Sequence, residues 1–284
     1  MSTTTGPSSS AAITISMAIL FATLASTLTP TGTAAANEIA PPTPLAAGAA
    51  AAVTPLGPPW FAGNLVYYNS FDRVDVEPEI LAAGLSATEK GPAEAVAGAV
   101  RGGRHIHALE IHGSAVSPCR PLTISFWWAL PKDLAIEGGF SLFSWTGGGY
   151  IGAFCHGKGE WCALRKPAGV LQVYYFPGIQ NVNAIYDMDL CAHLDLHAGA
   201  WHHTAAVFRQ ALSVELYTDG KKVCEIPLSG RPLSEKDNLN TLTIGATGGD
   251  GLLVDEVALL DRAVDGEMIA DYYRGVSQIR EYQK

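Results

Sequence analysis

Leu122-Thr123-Ile124-Ser125-Phe126-Trp127-Trp128 is the stretch that decides the fold. Successive side chains of a β-strand point to opposite faces. Leu122, Ile124, Phe126 and Trp128 therefore share one face, and Thr123, Ser125 and Trp127 the other. A continuous apolar set opposite a mixed set marks a strand with one face in a core. Similar runs lie on either side. Toward the N-terminus are Leu65–Phe71 and Gly103–Gly113, the latter with His105, His107, Leu109 and Ile111 on one face by alternation. Toward the C-terminus come 140–145, 150–155, 170–176, 204–209, 213–218, 241–245 and 252–260. Asp219-Gly220 sits between two apolar runs, a strong two-residue hairpin signal because glycine tolerates the positive φ of the turn. Many short strands with little helical periodicity predict an all-β, antiparallel two-sheet jelly-roll sandwich. One short C-terminal helix is expected. Asp265 can cap it, Met268, Ile269, Tyr272 and Tyr273 share a face, and Gly275 can end it in the left-handed conformation.

The rest of the chain frames this domain. Residues 1–36 contain no charged side chain, and Ala11–Leu28 is apolar. Small residues at Ala34-Ala35-Ala36 follow. This is the pattern of a secretory signal peptide cleaved before Asn37, or of an uncleaved N-terminal anchor. Residues 37–59 are rich in Ala and Pro and read as a linker. The jelly-roll domain is expected over 60–276, with a tail at 277–284. The 284-residue chain is 48% hydrophobic and carries 18 basic against 27 acidic residues, a net charge of -9. No cluster of Lys and Arg is available to neutralise phosphates, so nucleic acid is not an expected partner. A secreted or cell-surface/periplasmic location would place the five cysteines where disulfides persist. Cys155 and Cys162 bracket six residues with two glycines, so a Cys155–Cys162 disulfide closing a hairpin is expected. The pairing of Cys119, Cys191 and Cys224 is open.

The order of the strand motifs resembles the LamG-like, concanavalin A-like jelly-roll family. Gly103–Gly113, Thr123–Trp128, the Trp201-His202-His203-Thr204-Ala205 start, the Leu216–Gly220 hairpin, Leu242-Thr243-Ile244-Gly245 and the closing Val254-Asp255-Glu256-Val257 with Asp261-Arg262-Ala263-Val264 follow the family's sequence of elements. The resemblance implies the sandwich fold. It also implies that a calcium ion is sometimes held near the first and closing strands, with Asp72 and Asp255 as ligands. One fold hosts many ligands and activities, so function has to come from the residues.

Alternation places Asp255 on the face of Leu253, Val257 and Leu259. A carboxylate on an apolar face must be paired, hydrogen-bonded or metal-bound. Calcium ligation and a structural acid accepting backbone N–H groups are both open there. For catalysis the sequence offers little. The E-x-D-x-x-E signature of glucanases and the G-x-S-x-G nucleophile elbow are absent, and no C-x-x-C pair is present. Asp187-Met188-Asp189 reads as a solvated loop. Paired histidines, His105 with His107 and His193 with His197, read as ordinary surface. Aromatic rings stack on sugar faces, and Trp127, Trp145, Tyr150 and Tyr174 are the candidate ligand-binding residues, Trp127 first because Thr123 and Ser125 share its face. The expected role is an exported, non-catalytic recognition module for a glycan or an extracellular or envelope protein. The alternatives are a structural or adhesive envelope component without small ligand, and a divergent glycoside hydrolase.

Overall fold

The computed structural model describes residues 64–72, 77–132, 140–146, 150–155, 170–176, 186–193, 197–210, 212–227, 239–245 and 251–282. All belong to the unit Val53–Lys284. The expected leader and linker, and Cys162, lie outside the described residues. In chain order the strands are β1 (Leu65–Asn69), β2 (Ile80–Leu81), β3 (Ser86–Lys90), β4 (Glu94–Ala97), β5 (Gly102–Ile106), β6 (Ala108–His112), β7 (Leu122–Ala129) and β8 (Phe140–Thr146). They continue with β9 (Tyr150–Cys155), β10 (Val170–Phe176), β11 (Tyr186–His193), β12 (His202–Arg209), β13 (Ser213–Thr218), β14 (Lys221–Pro227), β15 (Thr241–Ile244) and β16 (Leu252–Leu260). One helix, α1 (Gly266–Tyr282), follows.

These strands make the two antiparallel sheets that the alternation predicts. The first sheet runs β14-β13-β12-β7-β16-β1-β2, with β5 on β16 and β4 on β5. The second runs β11-β10-β9-β8-β15-β6-β3. The core lies between them. Leu122, Ile124, Phe126 and Trp128 of β7 enter it with Phe143, Trp145, Phe208 and Ile244. Phe126 meets Phe143 edge-on at 6.5 Å, and Trp145 meets Phe208 at 4.8 Å. Such edge-to-face pairs are favoured by the ring quadrupole.

The outer face of the first sheet is covered as well. Tyr68, Ala205, Val207, Tyr217, Ala258 and Leu260 pack with Val264 and Ile269. Ala99, Val100 and Trp127 pack with Tyr272 and Val276 of α1. Among the described residues, the apolar clusters outside the sandwich core all lie on this sheet.

Four sequence expectations are corrected. Gly103–Gly113 is two strands, not one. The chain crosses between sheets at His107, whose amide bonds Lys90 O at 2.8 Å, so β5 pairs with β16 and β6 with β15. His105 and His107 therefore share no strand face. Second, α1 runs through Gly275, where the sequence expects it to end, to Tyr282. Its apolar stripe continues at Val276, and that packing outweighs the roughly 1 kcal/mol a helical glycine costs. Third, Asp187-Met188-Asp189 lies in β11, not in a loop. Fourth, a bulge in β16 breaks the register between Asp255 and Ala258. Glu256 there has φ 51°. Leu252 and Val254 face the core before the bulge, Val257 and Leu259 after it. Asp255 consequently keeps the face of Leu253 but not that of Val257 and Leu259.

Candidate functional site

Among the described residues, two places hold candidate site residues. The first is an acidic corner where β1, the β4–β5 turn and the β16 bulge meet. The bulge turns Asp255 outward, beneath residues 98–102, where it is fully buried. Its Oδ2 accepts the Val100 amide at 2.8 Å, while Oδ1 has no hydrogen-bond partner. Glu256 beside it accepts the Tyr68 hydroxyl at 2.6 Å. Asp72 follows β1 and accepts the Gly102 amide at 2.8 Å; its other oxygen lies 4.0 Å from the Arg101 guanidinium. Glu79 accepts from the Ser70 amide and hydroxyl. The first and closing strands are neighbours, so Asp72 and Asp255 come to one corner.

Burial and mutual repulsion shift these acids together. Burial first, then the charge of Glu256, push Asp255 well above the usual carboxylate range, with Asp72 adding to it. Burial pushes Glu256 up to about 8, against the Tyr68 hydrogen bond that lowers it. Asp72 and Glu79 raise it further and Arg101 opposes them. The backbone is contorted to build this corner. Phe71 (φ 55°) and Glu256 (φ 51°) both occupy the left-handed region without being glycine, a strain that persists only where the surroundings enforce it. Gly98 closes over the carboxylate so tightly that a Cβ would sit 1.8 Å from Gly102 O and 2.5 Å from Asp255 Oδ2.

Among the described residues, no group of three or more His, Cys, Asp or Glu side chains is gathered as a metal site, so a hard cation here would need backbone carbonyls beside the unpartnered Asp255 oxygen. Asp72 and Asp255 would hold it, with the Phe71 carbonyl beside Gly102 as a further oxygen.

The second place is the outer face of the second sheet. Phe143, Trp145, Ile244, Leu109 and Ile111 point into the core, so the alternate positions belong to the outer face. One registered row crosses the sheet as Asp187, Tyr174, Gly152, Ser144, Thr243, Glu110 and Thr88. The next row is Phe176, Tyr150, Thr146, Thr241, His112 and Ser86. Ser144 and Thr243 are buried, whereas Thr146 and Ser86 are exposed and Thr241 and His112 half-exposed. Thr146, Thr241, His112 and Ser86 are therefore accessible positions of this face. His112 Nδ1 lies 3.1 Å from Thr241 Oγ1. Lys90 donates to Glu110 at 2.5 Å. Five inter-strand steps of about 4.8 Å give the row a span of roughly 24 Å.

The candidate aromatics separate accordingly. The register aligns Tyr150 with Thr146 and Tyr174 with Gly152 along the strands. Trp127 and Trp145 are fully buried, which corrects their reading as ligand-binding residues. Trp145 fills the core and donates to Val116 O at 2.7 Å. Trp127 is on the face of Thr123 and Ser125 as expected, but α1 covers it: Tyr273 stacks on it at 5.5 Å, and its indole N–H donates to Tyr272 Oη at 3.3 Å. A ring sealed by protein cannot stack on a sugar. Sequence reasoning missed Thr146, Thr241 and His112 because single hydroxyls carry no local pattern; the strand register aligns them.

The comparisons agree with this architecture. The family model described as Concanavalin A-like lectin/glucanases superfamily (Laminin_G_3) matches residues 108–270, more than half of the chain, and the chain belongs to that family. Comparison with curated protein sequences finds no match. Among solved structures, the binding domain of Paraclostridial Mosquitocidal Protein 1 is similar at a TM-score of 0.53 and 14% identity, over 74% of this chain and 52% of that one. The chain thus spans about half the length of that domain. Domain 4 of a GH43 extracellular arabinanase from Geobacillus stearothermophilus, solved with arabinotriose, is similar at a TM-score of 0.51 and 14% identity, over 73% and 97% of the two chains. At such identities the likeness is one of fold. No helix among the described residues is long and apolar enough to cross a membrane.

Proposed function

We propose that this chain is an exported, non-catalytic recognition module that binds a glycan on the outer face of its second sheet, with a structural calcium ion at the Asp72–Asp255 corner. The contrast between the two outer faces carries the reading. One is sealed by an apolar helix, and the other presents a row of hydroxyls, an imidazole and a tyrosine position. Hydroxyl and imidazole groups exchange hydrogen bonds with sugar hydroxyls, and a neighbouring aromatic offers a stacking platform. Binding by relatives in the fold supports the class of ligand: the arabinanase domain was solved with arabinotriose. The absence of charge in residues 1–36 and the apolar stretch Ala11–Leu28 support export to a secreted, cell-surface or periplasmic location, where Cys155 and Cys162 would pair. A glycan array is the test. Binding that is lost in Tyr150→Ala and His112→Ala supports the reading. An array that retains no glycan overturns it in favour of a structural or adhesive role.

A hydrolase is the second reading, and one observation favours it. Asp187 and Asp189 take outer-face positions on β11, in register with Tyr174 and Gln172. Alternate residues of one strand lie roughly 6.6 Å apart, close to the separation of an inverting carboxylate pair. Glu110 is five strands from Asp187, about 24 Å, and is too distant to act with it. Release of reducing sugar from polysaccharides, abolished by Asp187→Asn or Asp189→Asn, would establish hydrolysis and replace the non-catalytic reading.

A further inference from the structure

His203 is a buried titratable group that neither site uses. It lies on β12, fully buried beneath α1. Its Nε2 is 2.8 Å from Ser125 Oγ, and its Nδ1 has no hydrogen-bond partner. The rings of Trp127 and Tyr272 are each 5.2 Å away, and Tyr273 is 6.4 Å away. We propose that α1 is an acid-released strap: a proton taken up by His203 undocks the helix from the outer face of the first sheet and exposes Trp127.

The groups facing the imidazole decide the sign. From β7 come Ser125 and Trp127, both neutral. From α1 come the phenol rings of Tyr272 and Tyr273. Asp219, in the β13–β14 turn, is the nearby anion, but its oxygens are taken by the His203 amide at 2.9 Å and by His202 Nδ1 at 3.0 Å. Asp255 and Glu256 act on Tyr272, and burial already favours their neutral forms, so they add little attraction for a cation. Arg274 and Asp271 pair with each other on the exposed side of α1. An imidazolium here would hold an N–H without an acceptor, away from water. Cation–π attraction from the flanking rings is smaller than the cost of an unpaired buried charge. Undocking α1 gives the ring water instead.

Burial lowers His203 from 6.5 to about 4, against the weaker pull of Asp219. A depressed folded value means that the stabilisation is complete above pH 6.5 and is lost as pH falls from there toward 4. A displacement of that size allows the open population of α1 to rise by roughly two orders of magnitude between pH 7 and pH 4. Hydrogen exchange on the full chain, corrected for intrinsic rates, reads this directly. Protection of 266–282 should fall by about that factor between pH 7 and 4 while β7 and β12 stay protected, and His203→Gln should flatten the response. Equal acid sensitivity in His203→Gln, or unchanged α1 protection at pH 4 in the wild type, overturns the proposal. Should the variant fail to fold, titration of the wild-type imidazole by NMR decides. Protonation of His203 with α1 still protected refutes the strap, and protonation concurrent with loss of protection supports it.

Discussion

Asp255 concentrates the energetic conflict of the molecule in one side chain. An ionised carboxylate at 0% exposure, with one oxygen bonded to Val100 and the other to nothing, is costly unless a cation or a proton neutralises it. A bound cation stabilises the folded state by mass action, about 2.7 kcal/mol at a hundredfold excess over Kd. Calcium is therefore expected to raise Tm and excess EDTA to lower it, both at fixed pH. Asp255→Asn is expected to abolish that response in differential scanning calorimetry. An EDTA-insensitive melt would leave Asp255 a structural acid kept neutral by its surroundings. The sequence showed that this residue needed a partner, because an acid stood among apolar neighbours. It did not show which face the residue takes, since a bulge displaces the alternation and has no signature in Leu252–Leu260. Trp127 has the same history. Its face was legible from Thr123 and Ser125, but what covers that face is decided by α1, more than 130 positions away. Trp127→Ala should cost about 3–5 kcal/mol of stability, as for other buried aromatic truncations, while glycan binding below the melting transition stays unchanged. Loss of binding in a folded Trp127→Ala would restore that residue to the ligand site.

At the scale of elements, the long central strands were legible and the short edges were not. β7, β12, β13 and β16 have enough alternating residues to declare themselves. Ser86–Lys90 and Glu94–Ala97 are mostly exposed edge strands, so one-face burial leaves little pattern in them. The crossing at His107 was hidden for the opposite reason: β5 and β6 abut with one residue between them and read as a single run. The β4–β5 turn depends on glycines more than on any pattern. Gly103 would place a Cβ 3.0 Å from Gly98 Cα and 3.1 Å from Val254 O, so the turn lies against β16 and delivers the Val100 amide to Asp255. Gly98→Ala must move this backbone, because its Cβ meets a carbonyl oxygen rather than a flexible side chain. The expected outcome is destabilisation of roughly 1–3 kcal/mol, the scale of enforced backbone strain, together with loss of the calcium-dependent rise in Tm. Denaturant melts with and without calcium measure both. A Gly98→Ala protein that keeps its calcium response would show that the turn does not shape the acidic corner.

In the whole molecule, the two sheets have divided their labour. The first spends its outer face on α1 and on the acidic corner, and so adds apolar burial outside the sandwich core. The second keeps an outer face of registered hydroxyls, Glu110, His112 and two tyrosine positions. This division follows from the topology. The C-terminal helix leaves directly from β16, in the middle of the first sheet, and the Tyr68, Ala205, Val207 and Leu260 positions give it an apolar bed. Binding should therefore depend on the second sheet and be indifferent to the helix. The accessible row runs across strands for roughly 24 Å, so contacts are distributed along it rather than gathered in one cavity. A ligand lying on such a row gains contacts as it lengthens, and each immobilised unit must repay its lost freedom from those contacts. Affinity for the glycan identified on the array is thus expected to rise with chain length until the row is filled and then level off. Titration calorimetry over an oligosaccharide series measures this. Tyr150→Ala, Thr241→Val and His112→Ala should each weaken the longest oligosaccharide by about tenfold, near 1.4 kcal/mol, with Tm unchanged in the Thr241 and His112 variants because those two positions are half-exposed. Affinity that is independent of length, or variants that bind as the wild type does, would move the ligand to the loops at the ends of the sandwich.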